Sequence, residues 1–286
     1  MKENNITKIG IIGLGLIGGS FGLALQTDKT IRLYGQDKYH LDKALELGLV
    51  HESLTDDLIP QMDIIIIATP VDMIPQIAKN VLDHIKPGAL VFDTGSTKHK
   101  IAQAIADHPN RGNFLLAHPI AGTEYSGPEA AFSSLFKGKM NMICETHQTR
   151  PDILEKAQQI FDNMGMQTLE MDSKEHDKHI AYVSHLSHIS SFMLGKTVLD
   201  LEKDEQNIFT MAGSGFASTV RLAKSSPDTW TPIFMENKTP ILQALEEYID
   251  NLQAFKVLLY RENTAKMKDI LNRINYIGKV IDKLKG

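Results

Sequence analysis

The chain has 286 residues, enough for about two domains, and its hydrophobic content of 42% and charged content of 23% are ordinary for a globular protein. The formal net charge of −5, without a long basic run, argues against nucleic acid as the main partner. The single cysteine, Cys144, excludes an intrachain disulfide and fits a cytoplasmic location. Residues 1–5 lack the apolar core of a signal peptide and no apolar run approaches a membrane span, so we expect no membrane partner.

A glycine-rich turn near the amino terminus is the most informative local pattern. A β-branched run leads into the Gly-x-Gly-x-x-Gly spacing, and a helix-like apolar pattern follows. In such a turn the first glycine permits the tight bend, the second lets the backbone approach a pyrophosphate, and the third lets the helix pack on the strand. The phosphates then meet free N–H groups at the helix start. We therefore predict a dinucleotide site at Gly13, Gly15, Leu16, Ile17 and Gly18.

The second predicted strand, residues 31–37, ends in a carboxylate at Asp37. This acid lies about 20 residues beyond the glycine turn, where such folds place an acid on the adenosine ribose 2′-hydroxyl. A carboxylate there repels the 2′-phosphate of NADP, so we predict NAD as the cofactor. The alternative is an aspartate that only begins a turn, and the neighbouring Lys38 could soften the discrimination.

Short apolar runs alternate with helical patterns over the first part of the chain, which indicates a parallel sheet with crossover helices. Four consecutive isoleucines at 64–67 suit a strand buried on both faces. Thr69 and Pro70 end this run, and we predict that they face the cofactor. Further predicted strands are 89–93, 114–118, 139–145 and 166–171, with a helix at 152–164.

Strand patterns stop at about residue 172, and helical patterns continue to the end of the chain. Ser173 is a candidate N-cap for the first of these helices. We predict an α/β fold with a Rossmann-type NAD-binding domain at 1–172 and an all-helical substrate and dimerisation domain at 173–286. An all-helical half of this size often packs against its own copy, so we expect a homodimer.

Two predicted strands end in polar residues that could carry chemistry. In an open α/β sheet the ligand lies outside the carboxyl ends of the strands. Ser96 and Lys98, after one strand, are therefore expected near cofactor or substrate, although Ser96 or Thr97 could equally cap a helix. His118 ends the next strand and can exchange a proton near neutral pH, the alternative being a structural histidine.

Four histidines, at 176, 179, 185 and 188, lie on one predicted helix. Each pair three residues apart could share a face, but no third ligand has a recognisable spacing, so we expect no metal. Asp177 and His188 are eleven residues apart and would share a helix face. Arg221 follows a glycine-containing stretch and could bind a carboxylate through two hydrogen bonds, or it could be a plain surface arginine.

These motifs, taken in order along nearly the whole chain, resemble the prephenate/arogenate dehydrogenase family. The most specific segment is 118–127, supported by 93–98, 183–188, 219–227 and Trp230. The resemblance implies a Rossmann-type domain followed by a helical dimer-forming domain. It also implies NAD(P)-dependent oxidative decarboxylation on the route to tyrosine, with prephenate giving 4-hydroxyphenylpyruvate or arogenate giving tyrosine.

The resemblance implies a role for each matching residue. His118 would accept the proton of the ring hydroxyl, and Ser96 would orient that hydroxyl and the nicotinamide. Arg221 would hold a substrate carboxylate, His188 would line the pocket, and Thr123 and Glu124 would lie at its edge. No fused mutase or carboxyl-terminal regulatory domain is expected, so any feedback by tyrosine would act at the active site.

The chain departs from the family pattern at two places. Ser187 stands where the family often has proline, and Ser214 interrupts a run of glycines, which puts local substrate or dimer contacts in doubt. Three alternatives stay open. Arogenate could replace prephenate as substrate, a β-hydroxyacid dehydrogenase shares the architecture but not the spacing of its catalytic lysine, and the chain could be a non-catalytic dinucleotide sensor.

Overall fold

The structure is a computed structural model and describes residues 6–202 and 208–283. Its strands are β1 (Thr7–Ile12), β2 (Ile31–Gln36), β3 (Glu52–Ser53), β4 (Ile64–Ile67), β5 (Leu90–Asp93), β6 (Phe114–Pro119), β7 (Met140–Cys144) and β8 (Gln167–Met171). Its helices are α1 (Leu16–Leu25), α2 (Leu41–Glu46), α3 (Ile74–His84), α4 (His99–Ile105), α5 (Pro151–Asn163), α6 (Ser173–Ile180), α7 (Leu186–Glu202), α8 (Ser214–Thr219), α9 (Pro227–Glu236), α10 (Lys238–Tyr260), α11 (Thr264–Ile274) and α12 (Ile277–Lys283).

The eight strands form one sheet in the order β3-β2-β1-β4-β5-β6-β7-β8. Neighbouring strands run parallel except β6 and β7, which pair antiparallel with His118 opposite Met142. The predicted α/β class is thus confirmed, with β7 and β8 running opposite to the other strands, a reversal that the apolar pattern could not reveal. Because β1, β4, β5 and β6 are mutually parallel, their carboxyl ends meet at one edge of the sheet.

Apolar side chains of the strands are buried on both faces of the sheet. All four isoleucines of β4 are buried, which matches the continuous β-branched run in the sequence. On one face, the ring of Phe21 from α1 packs against Phe92 of β5 with centroids 5.6 Å apart, and Phe92 meets Phe161 of α5 at 5.3 Å. These edge-on contacts fix α1, and therefore the glycine turn before it, against the centre of the sheet.

After β8 the described residues contain helices and no strand, as predicted. The N-cap of α6 is Asp172 and not Ser173, because the Asp172 carboxylate accepts the backbone N–H groups of Lys174 and Glu175. Ser173 is instead the first helical residue, and its N–H donates to Glu145 at 3.0 Å. An acid placed one residue earlier serves the same capping purpose.

A π-helical turn at Ala181–His185 separates α6 from α7. The expectation that Asp177 and His188 share a face assumed an uninterrupted α-helix, and this turn interrupts it. The wider turn changes the phase of the helix, and the two side chains contact different neighbours, as described below. Single π-turns of this kind frequently occur at functional sites.

The described residues form two compact units, one extending to Lys238 and the other beginning at Thr239. The first unit contains the sheet and every predicted site residue. The second consists of α11, α12 and nearly all of α10. No helix in residues 6–202 or 208–283 combines the length and apolar character required to cross a bilayer.

Candidate active site

The glycine turn has the shape expected of a dinucleotide site. Gly13 adopts a φ of +94°, and a Cβ there would lie 2.5 Å from the carbonyl oxygen of Ala68. A Cβ on Gly18 would overlap the carbonyl oxygen of Gly13. A Cβ on Gly15, by contrast, would meet no described atom within 4 Å, so this position is open to an approaching ligand.

Leu16 and Ile17 begin α1, directly after its N-cap Gly15. The first N–H groups of an α-helix have no partner inside the helix, so those of Leu16, Ile17 and Gly18 are suited to donate hydrogen bonds to a pyrophosphate. The side chains of Leu16 and Ile17 pack against the core and contribute no charge. The turn therefore fits the nucleotide through its backbone.

Asp37 lies directly after β2, and its carboxylate is held close to the glycine turn. Oδ2 accepts the Leu14 N–H at 2.8 Å, and Oδ1 accepts the N–H groups of Tyr39 and His40 at 2.8 and 2.9 Å. Burial raises the pKa of Asp37, but these hydrogen bonds outweigh it and leave the pKa below its ordinary value. Asp37 is therefore a fixed negative charge beside the turn.

Thr69 follows β4 at the same edge of the sheet, and Pro70 comes next in an exposed turn. The Thr69 hydroxyl oxygen is buried, and no hydrogen-bond partner lies near it among the described residues. A buried hydroxyl normally has a partner, so this group is suited to a polar ligand atom. It supports the predicted cofactor-facing position of Thr69.

A buried ion pair connects the ends of β5 and β6. Lys98, fully buried, places Nζ against the Asp93 carboxylate and donates to the Ala117 carbonyl oxygen at 2.6 Å. Asp93 also accepts the N–H groups of Gly95 at 2.9 Å and of Ala117 at 3.3 Å. The Lys98 ammonium is thus occupied within the protein, and it fixes the backbone just before His118.

Ser96 is half-buried in the turn between β5 and α4, within the segment that Asp93 and Lys98 enclose. A Cβ on the preceding Gly95 would lie 2.8 Å from Ile74 and 2.9 Å from the Asp93 carboxylate. Only glycine fits this tight approach without a shift. The turn thereby holds Ser96 at the carboxyl edge of the sheet, where the sequence placed it.

His118 is buried near the end of β6 and forms part of a chain of hydrogen bonds. Its Nδ1 lies 2.9 Å from Nε2 of His176, and Nδ1 of His176 lies 2.9 Å from Oδ1 of Asp177. Asp177 accepts the backbone N–H groups of Lys98 at 2.7 Å and His99 at 2.9 Å, at the start of α4. The beginning of the helical region thus reaches the sheet edge.

The surroundings of His118 disfavour its charged form. Burial lowers its pKa well below the ordinary value, and electrostatic interaction with His176, Lys98 and His185 lowers it further. His185, itself buried, has a pKa lowered to about 4, chiefly by burial. Both imidazoles are neutral at physiological pH, and a neutral imidazole can accept a proton.

His188 stacks on the indole of Trp230, with ring centroids 3.4 Å apart and an interplanar angle of 22°. Its Nδ1 donates to the Ser184 carbonyl oxygen at 3.0 Å, so Nε2 is left as an acceptor. Burial lowers the pKa of His188, and the charge of Arg221 acts in the same direction. His188 therefore offers a rigid, neutral ring beside Arg221.

Arg221 begins a short 3₁₀ turn, Arg221–Lys224, that α7 holds in place. The Ser191 hydroxyl donates to the Thr219 carbonyl oxygen at 3.1 Å and accepts the Ala223 N–H at 3.1 Å. Arg221 Nη1 lies 3.3 Å from Glu124, and its side chain is half-exposed. The guanidinium is therefore positioned and accessible.

Thr123 and Glu124, which the sequence predicts at the edge of the pocket, lie in the loop after β6. Glu124 contacts Arg221, the residue predicted to bind a substrate carboxylate. Thr123 is exposed, and its hydroxyl accepts the Tyr125 N–H at 3.2 Å. The neighbouring Gly122 has open space around it. The ion pair of Glu124 with Arg221 connects this loop to the turn after α8.

Within the described residues, no group of three or more histidines, cysteines or acids is arranged to hold a metal ion. Cys144 is buried in β7, and burial raises the pKa of its thiol to about 12. Its thiolate is therefore suppressed, which suits a packed side chain and not a nucleophile.

Sequence reasoning missed the hydrogen bond between His118 and His176. The two residues are 58 positions apart, and periodicity carries no information about which distant side chains meet. It also missed Asn237, whose amide donates to the Asp177 carbonyl oxygen at 2.7 Å and lies 3.1 Å from His185 Nδ1. These contacts join α6, the π-turn and residue 237, which are far apart in the sequence.

A largely parallel sheet with a dinucleotide-type glycine turn after β1, and a neutral imidazole at the end of β6, is typical of a dinucleotide-dependent oxidoreductase. The model of the prephenate dehydrogenase nucleotide-binding domain matches residues 21–170, and that of the prephenate dehydrogenase dimerization domain matches 172–273. The chain belongs to the prephenate dehydrogenase family.

Individual relatives agree with this membership. Cyclohexadienyl dehydrogenase of Zymomonas mobilis is 28% identical over 258 residues, 88% of each chain. Prephenate dehydrogenase of Bacillus subtilis is 29% identical over 268 residues, which cover 90% of this chain and 71% of the relative.

A solved structure extends the likeness to nearly the whole chain. Prephenate dehydrogenase from Aquifex aeolicus, in complex with hydroxyphenyl propionate and NAD+, superposes with a TM-score of 0.89 at 29% identity. The match covers 98% of this chain and 100% of the other. NAD, the cofactor predicted from Asp37, is the dinucleotide in that structure.

Proposed function

We propose that this enzyme oxidises prephenate with NAD and releases CO₂, giving 4-hydroxyphenylpyruvate. The observation that carries the proposal is the buried, neutral imidazole of His118 at the carboxyl edge of the nucleotide-binding sheet. A neutral imidazole can take the proton of the ring hydroxyl as hydride leaves the carbon that bears it. Family membership and the relatives named prephenate dehydrogenase support the same reaction.

When bound, NAD supplies the hydride acceptor, and the protein supplies position and proton transfer. His118 accepts the hydroxyl proton through the nitrogen that faces the substrate. After CO₂ leaves, the ring is aromatic, and the phenolic oxygen takes a proton back, so no net proton is consumed. A positioned general base contributes roughly 10²–10⁴ in rate. Ser96 orients the same hydroxyl from the turn before α4.

At the other end of the pocket, we assign substrate recognition to Arg221, with His188, Thr123 and Glu124 around it. A guanidinium binds a carboxylate through two parallel hydrogen bonds, which suits the carboxylates of prephenate. The half-exposed side chain of Arg221 and its ion pair with Glu124 support an exchange of partners when substrate arrives. The stacked ring of His188 gives the pocket a flat wall.

We place the glycine turn and Gly13, Gly15, Leu16, Ile17, Gly18, Asp37, Thr69 and Pro70 around the NAD. We also propose a division near residue 172 into an NAD-binding part and a helical part that forms a homodimer. The match to a dimerization domain over 172–273 supports the dimer. The single cysteine fits a cytoplasmic enzyme.

A steady-state assay that crosses two substrates with two cofactors tests the proposal. NADH or NADPH formation is followed at ~340 nm with prephenate or arogenate, each with NAD or NADP. We expect the highest kcat/KM for prephenate with NAD. A higher kcat/KM for arogenate would identify an arogenate dehydrogenase, and no turnover with either substrate would favour a non-catalytic sensor.

A further inference from the structure

Two imidazoles and a carboxylate form one hydrogen-bonded line in the buried part of the site. His118 and His176 are 8% and 2% exposed, and their rings meet edge to face with centroids 5.1 Å apart. The line continues from His176 to Asp177 at 2.9 Å. Asp177 is also fixed, because its two oxygens accept the N–H groups of Lys98 and His99.

The hydrogen bonds determine which nitrogen of each ring carries a proton. The Asp177 carboxylate accepts at Oδ1, so Nδ1 of His176 carries the hydrogen. In the neutral ring, Nε2 of His176 is then a lone-pair acceptor, and the contact between the rings requires that Nδ1 of His118 carries the hydrogen. Nε2 of His118 is therefore unprotonated and available as a base.

We propose that His176 and Asp177 are positioning residues that fix the Nδ1–H tautomer of His118 and present its bare Nε2 to the substrate hydroxyl. This inference rests on the proposed function of His118 as the base. In the step, the O–H bond breaks and an Nε2–H bond forms, so His118 becomes a cation. That cation donates through Nδ1 to His176, which Asp177 orients.

The charges around His118 explain why a carboxylate is needed when the ring takes up a proton. Three groups that can carry positive charge face His118: Lys98 from the turn before α4, His176 from α6 and His185 from the π-turn. The carboxylates are Asp93, which pairs with Lys98, and Asp177, which reaches His118 through His176. Of the two, only Asp177 is free of the Lys98 ammonium, so it is the group that offsets a proton arriving on His118.

A purely structural role for His176 makes different predictions. If the ring only filled space and capped α4 through Asp177, an apolar side chain of similar size would change stability and leave the pH profile of turnover unaltered. If the ring sets the tautomer, the loss of its acceptor frees His118 to carry the proton on Nε2, where it cannot act as a base. The two roles therefore predict different values of kcat, different pH profiles of turnover and different tautomers of His118 in the variant.

The test compares His176→Leu, which removes the acceptor, with His176→Gln, whose amide oxygen can still accept the Nδ1–H of His118. For His176→Leu we expect kcat with prephenate and NAD to fall about 100-fold, in the manner of a misdirected tautomer in a hydrolase triad, with both KM values within about threefold. We expect kcat of His176→Gln to be at least about tenfold higher than kcat of His176→Leu. His179→Leu, on an exposed position of the same helix, is the matched control and should keep wild-type kcat.

Nitrogen NMR of the full-length wild-type protein with ¹⁵N-labelled histidine reads the tautomer directly. The His118 signals are assigned by their loss in His118→Asn. We expect an unprotonated Nε2 and a protonated Nδ1 in wild type, and a mixture in His176→Leu. This measurement decides the question even if His176→Leu does not fold.

Two results would overturn the inference: a proton on Nε2 of His118 in wild type, or wild-type kcat and an unchanged pH profile in folded His176→Leu. Failure of the proposed function looks different. In that case wild-type protein would turn over neither prephenate nor arogenate, while the NMR spectrum would still report the tautomer.

Discussion

His118 is kept uncharged by burial and by electrostatic interaction with the groups around it, and this has a consequence for the pH dependence of turnover. An ordinary histidine with a pKa of ~6.5 loses its basic form as the pH falls through that value. The pKa of His118 lies well below it, so the basic form persists at lower pH. We predict that kcat/KM for prephenate stays level from about pH 7.5 to about pH 6, with the acid decline below that range. A decline centred near pH 6.5 or above would contradict this.

Asp37 provides a second prediction for a single residue. Its carboxylate carries a fixed negative charge beside the glycine turn, and the 2′-phosphate of NADP would add another. In Asp37→Asn the repulsion is removed while the shape is kept. We expect the ratio of kcat/KM for NAD to that for NADP to fall about tenfold or more, equivalent to ~1.4 kcal/mol.

Lys38→Met is the matched control for Asp37→Asn, since it changes the neighbouring charge of opposite sign. We expect this variant to keep or increase the preference for NAD. An unchanged ratio in Asp37→Asn would remove Asp37 from cofactor discrimination.

Single residues also show where sequence reasoning stops. The position of His118 at a strand end followed from the apolar run before it, because strand ends can be recognised locally. The partners of His118 could not be recognised, since the contact with His176 depends on how α6 leaves β8 and meets α4. Lys98 was expected near a ligand, yet its ammonium pairs with Asp93, which only the three-dimensional approach of β5 and β6 determines.

Among the elements, the turn between β1 and α1 gives a matched pair of glycine substitutions. A Cβ at Gly15 meets open space, whereas one at Gly18 overlaps the Gly13 carbonyl oxygen. We predict that Gly15→Ala keeps Tm within about 2 °C but raises the Kd for NAD at least tenfold, because its methyl group occupies the approach of the pyrophosphate. We predict that Gly18→Ala lowers Tm by several degrees or more.

Calorimetry measures Tm for both glycine variants, and titration with NAD measures Kd. Equal Kd values for NAD in wild type and Gly15→Ala would contradict the assignment of this turn to the pyrophosphate. A wild-type Tm for Gly18→Ala would contradict the close packing of helix on strand.

The elements themselves were largely predictable, for physical reasons. Buried strands such as Ile64–Ile67 appear as continuous β-branched runs, so their existence could be derived locally. The antiparallel direction of β7 and the π-turn at Ala181–His185 could not, because strand direction and helix phase depend on contacts across the fold. The two-residue β3 is too short to give any pattern.

At the scale of the whole molecule, the second compact unit exposes many large apolar side chains. On α10 to α12 roughly half the surface is exposed at Leu252, Leu259, Leu271, Ile274, Ile277 and Ile281. Exposed apolar side chains of this size are typical of an interface, and the dimerization-domain match includes Leu252, Leu259 and Leu271. We therefore predict a dimer by light scattering coupled to size exclusion.

The variant Leu252→Glu places a charge on this surface, and Gln253→Glu places the same charge on the neighbouring exposed polar position. We expect Leu252→Glu to raise the dimer dissociation constant at least tenfold and Gln253→Glu to leave it near the wild-type value. A monomeric wild-type protein at micromolar concentration would contradict the dimer.

In the proposed reaction, the His118 imidazole accepts the proton of the substrate hydroxyl. The most direct test of this step is NADH formation from prephenate by His118→Asn, with Tm measured to show that the variant is folded. We predict that kcat falls at least about 100-fold while KM for prephenate stays within about threefold, because asparagine can hydrogen-bond the hydroxyl but cannot take its proton. Turnover close to that of wild type in the folded variant would contradict the account.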